Sequence, residues 1–184
     1  TLEKLAELLD VSIPTLMGVG VEYIPSAVAF FERLRQIEST AEHIVVLAGP
    51  ISFLLATESF DQTLEQCLSE SIPEEELERE RALEQVRELM PILQKRKKTY
   101  RDRRPGILNL ISGAEIERFL RNGLIGRLDL PKGVREERRA RALAEAEHLI
   151  GMMEAEPIGV QIGIIPGTLP HTSFQIFRQL DRKV

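Results

Sequence analysis

Residues 160–178 read VQIGIIPGTLPHTSFQIFR, and this stretch decides the fold class. Val160–Ile165 and Ser173–Arg178 are short runs rich in β-branched and aromatic residues. Pro166-Gly167-Thr168-Leu169-Pro170-His171 lies between them. Two such runs with a Gly/Pro connection predict two strands joined as a hairpin. Ile44–Ala48 (IVVLA), stopped by Gly49-Pro50, predicts a strand buried on both faces. Ile107–Ser112 (ILNLIS) adds a fourth, and Leu124–Leu130 has room for a short fifth.

The segments between these runs have the helical period. Residues 25–38 place Ala27, Phe30, Phe31, Leu34 and Ile37 on one stripe, with Glu32, Arg33, Arg35 and Glu38 assigned to water. Residues 51–68 are ambiguous: Ile51–Leu55 could extend the first strand, while Ser59–Leu64 reads as helix. Residues 73–98 predict a helix with Leu83, Val86, Met90 and Leu93 inward, broken or kinked by Pro91 near Met90. Ala114–Arg121 predicts a helix stopped at Asn122-Gly123. Val134–Glu154 predicts a long one, with Ala142, Ala146, Leu149, Ile150 and Met153 on its buried face and Pro157 after its end. Helices plus a small mixed sheet make an α+β layout.

Composition narrows the function classes. The 184 residues are 43% apolar, enough to bury a core. No apolar run approaches the ~18 residues of a membrane span, and the sequence shows no basic-then-apolar leader, so a soluble cytoplasmic protein is expected. The first residue is Thr1 rather than Met, as in a fragment of something longer. Residues 1–92 hold 6 basic and 18 acidic groups, and residues 93–184 hold 18 and 11, so a total of −5 conceals halves of −12 and +7. Such a split points to a nucleic acid, an acidic partner, or halves that dock on each other.

The chemistry-bearing residues are few. His43, His148 and His171 lie far apart without metal-ligand spacing, and no nucleophile-elbow, phosphate-loop or zinc-protease pattern occurs. His148 reads as a surface or half-buried residue. The single cysteine, Cys67, shares a helix with Leu64 and Leu68 and reads as an inert thiol. Glu74–Glu76, Glu115/Glu117 and Glu136/Glu137 sit where first helical turns favour carboxylates, which explains them without catalysis. Nothing here argues for an enzyme, for a metal or for a cofactor. The strongest local signal is Lys95-Arg96-Lys97-Lys98-Thr99-Tyr100-Arg101-Asp102-Arg103-Arg104, with seven cations in ten residues. Lys95, Lys97, Lys98, Arg101, Arg103 and Arg104 could neutralise phosphates, and Tyr100 could stack on a base. The plainer reading is a solvated helix end that offsets the acidic segment before it.

Residues 1–17 read as a short helix, a turn and a second short helix, with Leu2, Leu5, Ala6 and Leu9 on one face, Ser12 as a cap and Gly18-Val19-Gly20 as a joint. Thr1-Leu2-Glu3-Lys4-Leu5-Ala6-Glu7-Leu8-Leu9-Asp10-Val11-Ser12-Ile13-Pro14-Thr15-Leu16 resembles the closing helices of the Xre/Cro phage-repressor helix-turn-helix family. The remainder is similar, more loosely, to the C-terminal domain that follows such units in bacterial regulators. There a Val-Pro-Gly-Leu-Leu-Gln-Thr-x-x-Tyr-Ala-Arg signature is paralleled by Gly49-Pro50 and Leu54-Leu55-Ala56-Thr57-Glu58-Ser59-Phe60. The parallel has two extra residues after the proline, Ala56 in place of Gln and Phe60 in place of Tyr. On this resemblance residues 51–68 become a turn or helix after the strand. It implies residues 1–20 as the end of a helix-turn-helix unit and residues 21–184 as an α+β effector or dimerisation domain. It further implies a transcription regulator whose operator-reading helices precede Thr1, a homodimer matched to near-palindromic DNA, and an unknown small-molecule or protein effector held near Thr57, Phe60 and His171. The alternatives are direct nucleic-acid binding through residues 95–104 and, third, a small-molecule enzyme.

Overall fold

The computed structural model describes residues 2–9, 13, 24–47, 49–167 and 173–180. The expectations for Ser12, Pro14, the Gly18–Gly20 joint, Ala48 and His171 lie outside these residues. Helix α1 spans Leu2–Leu8, as its periodicity predicts. Helix α2 (Ala27–Glu38) starts at Ser26, whose hydroxyl oxygen accepts from the Ala29 N–H at 3.1 Å. Strand β1 (His43–Leu47) leads through a turn at 53–55 into α3 (Glu58–Glu70), which settles the ambiguity of 51–68 as turn then helix.

The next helix, α4, runs from Arg79 to Arg103. One expectation fails here, and of the break or kink expected at Pro91 the break is excluded. Residues 73–78 are turns rather than the helix start, and Pro91 does not break the helix. An internal proline costs about 3 kcal/mol. Its ring is on the exposed face, while Leu89, Met90 and Leu93 beside it are buried. Each such side chain is worth roughly 1.5–3 kcal/mol, so their burial outweighs the lost backbone bond.

Strand β2 (Gly106–Ser112) passes directly into α5 (Gly113–Asn122), which stops at Gly123 with φ 75°. Helix α6 is Lys132–Ala155, and β3 (Val160–Ile165) and β4 (Phe174–Arg178) complete the chain. The fifth strand expected at 124–130 is absent. That backbone is spent on side chains instead: Leu124 O accepts from Arg138 at 3.2 Å, and Gly126 N donates to Glu70 at 3.2 Å.

The class is α+β, with helices packed on one mixed four-stranded sheet of order β3-β2-β1-β4. β1, β2 and β3 are parallel neighbours and β4 is antiparallel to β1. The expected β3–β4 hairpin is therefore wrong; the two strands are opposite edges. Residues 166–173 must span three strand spacings, about 14 Å. Eight residues manage this easily, and they exceed the two to five of an ordinary hairpin loop.

Both crossovers, β1 to β2 and β2 to β3, step the same way across the sheet. The right-handed rule puts their helices on the same face. The core agrees. One cluster joins Ile44, Val46, Ile107 and Phe177 to Leu34, Leu54 and Leu55. A second joins Ile111 to Ile51, Phe60, Phe119, Ala142 and Leu149. The opposite face carries Val45, Leu108, Leu110, Ile165, Phe174 and Ile176. The central members are half-buried, and Phe174 and Ile176 are exposed.

Candidate functional site

The segment read as a cationic surface is partly the inside of the protein. Arg96 and Glu38 are 3% and 4% exposed and meet in a two-pronged pair, Nε to Oε2 at 2.9 Å and Nη2 to Oε1 at 2.6 Å. The guanidinium also lies 5.2 Å from the centroid of the Phe31 ring. Glu38 thus does not face water, as its place in α2 first suggests. Lys97, 3% exposed, donates to the Asp61 carboxylate and to Thr57 O at 2.9 Å, and sits 4.4 Å from the Phe53 ring centroid. Lys98 pairs with Asp102 at 2.6 Å and Arg101 with Glu58 at 2.6 Å, both at the surface. Arg103 donates to Glu38 O at 3.1 Å. Arg104 takes a left-handed conformation as the cap of α4. Lys95 and Arg104 are exposed. Tyr100 is half-buried against the first core cluster, and burial pushes its hydroxyl pKa up, so its ring serves packing rather than base stacking.

Thr57 is a junction of three helices. Its N–H donates to Glu145 Oε2 at 3.0 Å, its hydroxyl donates to the other oxygen of that carboxylate, and its carbonyl accepts from Lys97. Phe60 is buried with Phe119 and Ala142, and the void beside it is about 10 Å³, the size of one water. The structure brings Thr57 and Phe60 together, but as network and core rather than as pocket walls. A third buried cation, Arg138, pairs with Glu70 at 2.6 Å, while Arg141 donates to Thr63 Oγ1 at 2.9 Å.

These buried ions had a signal in the sequence. Glu38 falls four residues after Leu34, Arg96 and Lys97 three and four after Leu93, and Arg138 and Glu145 flank Ala142 at four and three. All continue the apolar stripe of their helix. The same period corrects α6: its inward residues are Arg138, Ala142, Glu145 and Leu149, and Ile150 and Met153 are exposed.

A ligand-sized space lies elsewhere. A cleft of about 680 Å³ opens at the N-terminal ends of β1, β2 and β3, beside the last turn of α6. Its walls include His43, Ile107, Met152, Glu156 and Ile162, within the 300–1,000 Å³ typical of small-molecule sites. The His43 imidazole packs against Gly106: a Cβ there would come 2.8 Å from its Cδ2. His148, exposed on α6, bonds Leu55 O through Nε2 at 3.0 Å. The described histidines therefore do not converge, and no group of three metal-ligating side chains occurs among the described residues.

Cys67 is half-buried in α3, and burial, then the Glu70 carboxylate, raises its thiol pKa. Since the thiolate is the reacting form, the expected reaction rate with Ellman's reagent at pH 7.5 is at least about tenfold below that of free cysteine. It should recover in urea. Fast labelling of the folded chain would contradict the inert assignment.

No described helix is long and apolar enough to cross a membrane. No family model, curated protein or solved structure matches the chain.

Proposed function

We infer that this chain is the effector-sensing and dimerising part of a bacterial helix-turn-helix transcription regulator. The observation that carries the reading is α1. Its sequence resembles the first of the closing helices of the Xre/Cro unit, and the leucines of α1 and of the residue after it lack cover: Leu2, Leu5, Leu8 and Leu9 are 51, 46, 80 and 54% exposed. A seven-residue helix is far below the length that is stable alone. Such an apolar face is a docking face for further helices, which on this reading are those that touch DNA.

The open sheet face supplies the dimer surface, with a second copy as its occupant. Its only formally charged member among the described residues is Arg178, and Val45, Leu108, Leu110 and Ile176 form its centre. A charge-poor centre with a polar rim (His43, Gln161, Arg178) is the anatomy of a protein interface. The face measures roughly 15 by 20 Å. Two such faces give an interface below the ~1,200 Å² of a standard one, at the small end of the range. The cleft at the base of the sheet, rather than the Thr57–Phe60 neighbourhood, is the effector site.

The competing reading, nucleic-acid contact through residues 95–104, loses its densest cations to internal pairs. Its test uses the surface members alone. Lys95, Lys98, Arg101 and Arg104 all replaced by Gln should leave retention on heparin, and its dependence on salt, unchanged. A salt slope lower by three or four would restore the nucleic-acid reading.

A further inference from the structure

Asn109 has no solvent exposure, and neither Oδ1 nor Nδ2 of its amide has a hydrogen-bond partner. It stands on the helix-facing side of β2, between Ile107 of the first core cluster and Ile111 of the second. Its neighbours across the sheet are Val46 and Ile162. One strand further, Gln175 in the same row holds a second buried oxygen, Oε1, without a partner. Buried amides in native proteins are nearly always bonded, so an orphan in mid-sheet needs a partner from outside the chain.

The cleft supplies the approach. Ile107 and Ile162 line it, and Asn109 is the next residue on that face, about 7 Å further along the strand. Met152 also lines the cleft and packs against both clusters that meet at Asn109. Its unbranched thioether is the side chain best able to swing aside. We propose that the cleft and the Asn109 amide form one binding site, closed by Met152, for a neutral small molecule with an apolar body and a carboxamide or lactam head. The Asn109 amide offers one acceptor and two donors, and a second amide matches it edge to edge with two hydrogen bonds. A charged head would lose its hydration in this apolar surround without a counter-ion, so it is excluded. Glu156 and His43 stay at the mouth.

This deepens the sensing half of the reading above. Its test uses the chain alone, without DNA and without the dimer as readout, so the two fail separately. Hexanamide is titrated into the ¹⁵N- and methyl-labelled chain, with hexylammonium as the charged control. The expected result is a saturable shift of the Asn109 side-chain NH₂ and the Met152 methyl, with hexylammonium at least tenfold weaker. Asn109→Leu, which removes both orphan atoms and keeps the branching of the side chain, should stay folded and bind hexanamide at least tenfold more weakly. Met152→Ala should bind at least as tightly as the parent. Unshifted Asn109 resonances on the parent chain, the outcome if a trapped water alone satisfies the amide, would overturn the proposal. So would undiminished binding by a folded Asn109→Leu.

Discussion

Arg96→Ala is expected to destabilise the fold by about 3–5 kcal/mol, the usual consequence of stranding one member of a buried ion pair. Glu38, 4% exposed, would be left buried with neither of the two guanidinium bonds it now accepts. Loss of the cation over Phe31 adds a smaller term in the same direction. The effect is not that of a missing attraction, and a second variant separates the two. With Arg96→Met and Glu38→Leu together, no charge is left to strand. Replacing a whole buried pair by apolar side chains is often neutral or stabilising, so the double variant should recover most of the loss. Urea unfolding of the three proteins reads this directly. If Arg96→Ala costs less than about 1 kcal/mol, the range of surface pairs, Glu38 has found water and α2 does not seal on α4 as described.

The second large effect is expected at Gly126. A Cβ built there would lie 2.1 Å from Cys67 O, 2.6 Å from Ser71 N and 2.7 Å from Glu70 Cβ. Two of the three atoms are backbone at the end of α3 and cannot turn away. Gly126→Ala must lift the segment between α5 and α6 off α3. That strains the Gly126 N–H bond to Glu70 and, through the same carboxylate, the pair with Arg138. Overpacking of a rigid contact typically costs 1–3 kcal/mol, and a disturbed buried pair adds to it, so a loss of at least about 3 kcal/mol is expected. Gly133 in the first turn of α6 is the control, because a Cβ there meets nothing within 4 Å. Gly133→Ala should be neutral or stabilise by roughly 0.5–1 kcal/mol through helix propensity. Similar thermal shifts for the two variants would contradict the close approach at Gly126.

Legibility in the sequence followed the range of the interaction. The strands at 44–47, 107–112, 160–165 and 174–178 and the helices of the second crossover were readable, and those of the first in part, because a period of 2.0 or 3.6 is a local property. Their pairing was not. Val160–Ile165 and Phe174–Arg178 look like a hairpin from eight residues of Gly/Pro connection, yet the partners of β4 lie in β1, more than 120 residues earlier. The polar residues divide in the same way. Lys98 and Asp102 pair at four residues' separation on one helix face. Arg96 and Glu38 are 58 residues apart, and only their phase on the apolar stripes hinted at burial. For the same reason the basic run misled. Its seven cations look alike in sequence, while α2 and α3 cover Arg96 and Lys97 and leave Lys95 and Arg104 in water. The cleft was invisible, since it is assembled from the first residues of three strands and the last turn of α6.

The regulator reading makes self-association its central physical claim, and sedimentation equilibrium of the chain at physiological salt tests it most directly. The predicted result is a dimer at micromolar concentration that Phe174→Asp with Ile176→Asp converts to a folded monomer, since those two exposed side chains sit on the open sheet face. A parent chain that stays monomeric to high micromolar concentration, or a dimer indifferent to both substitutions, would contradict it.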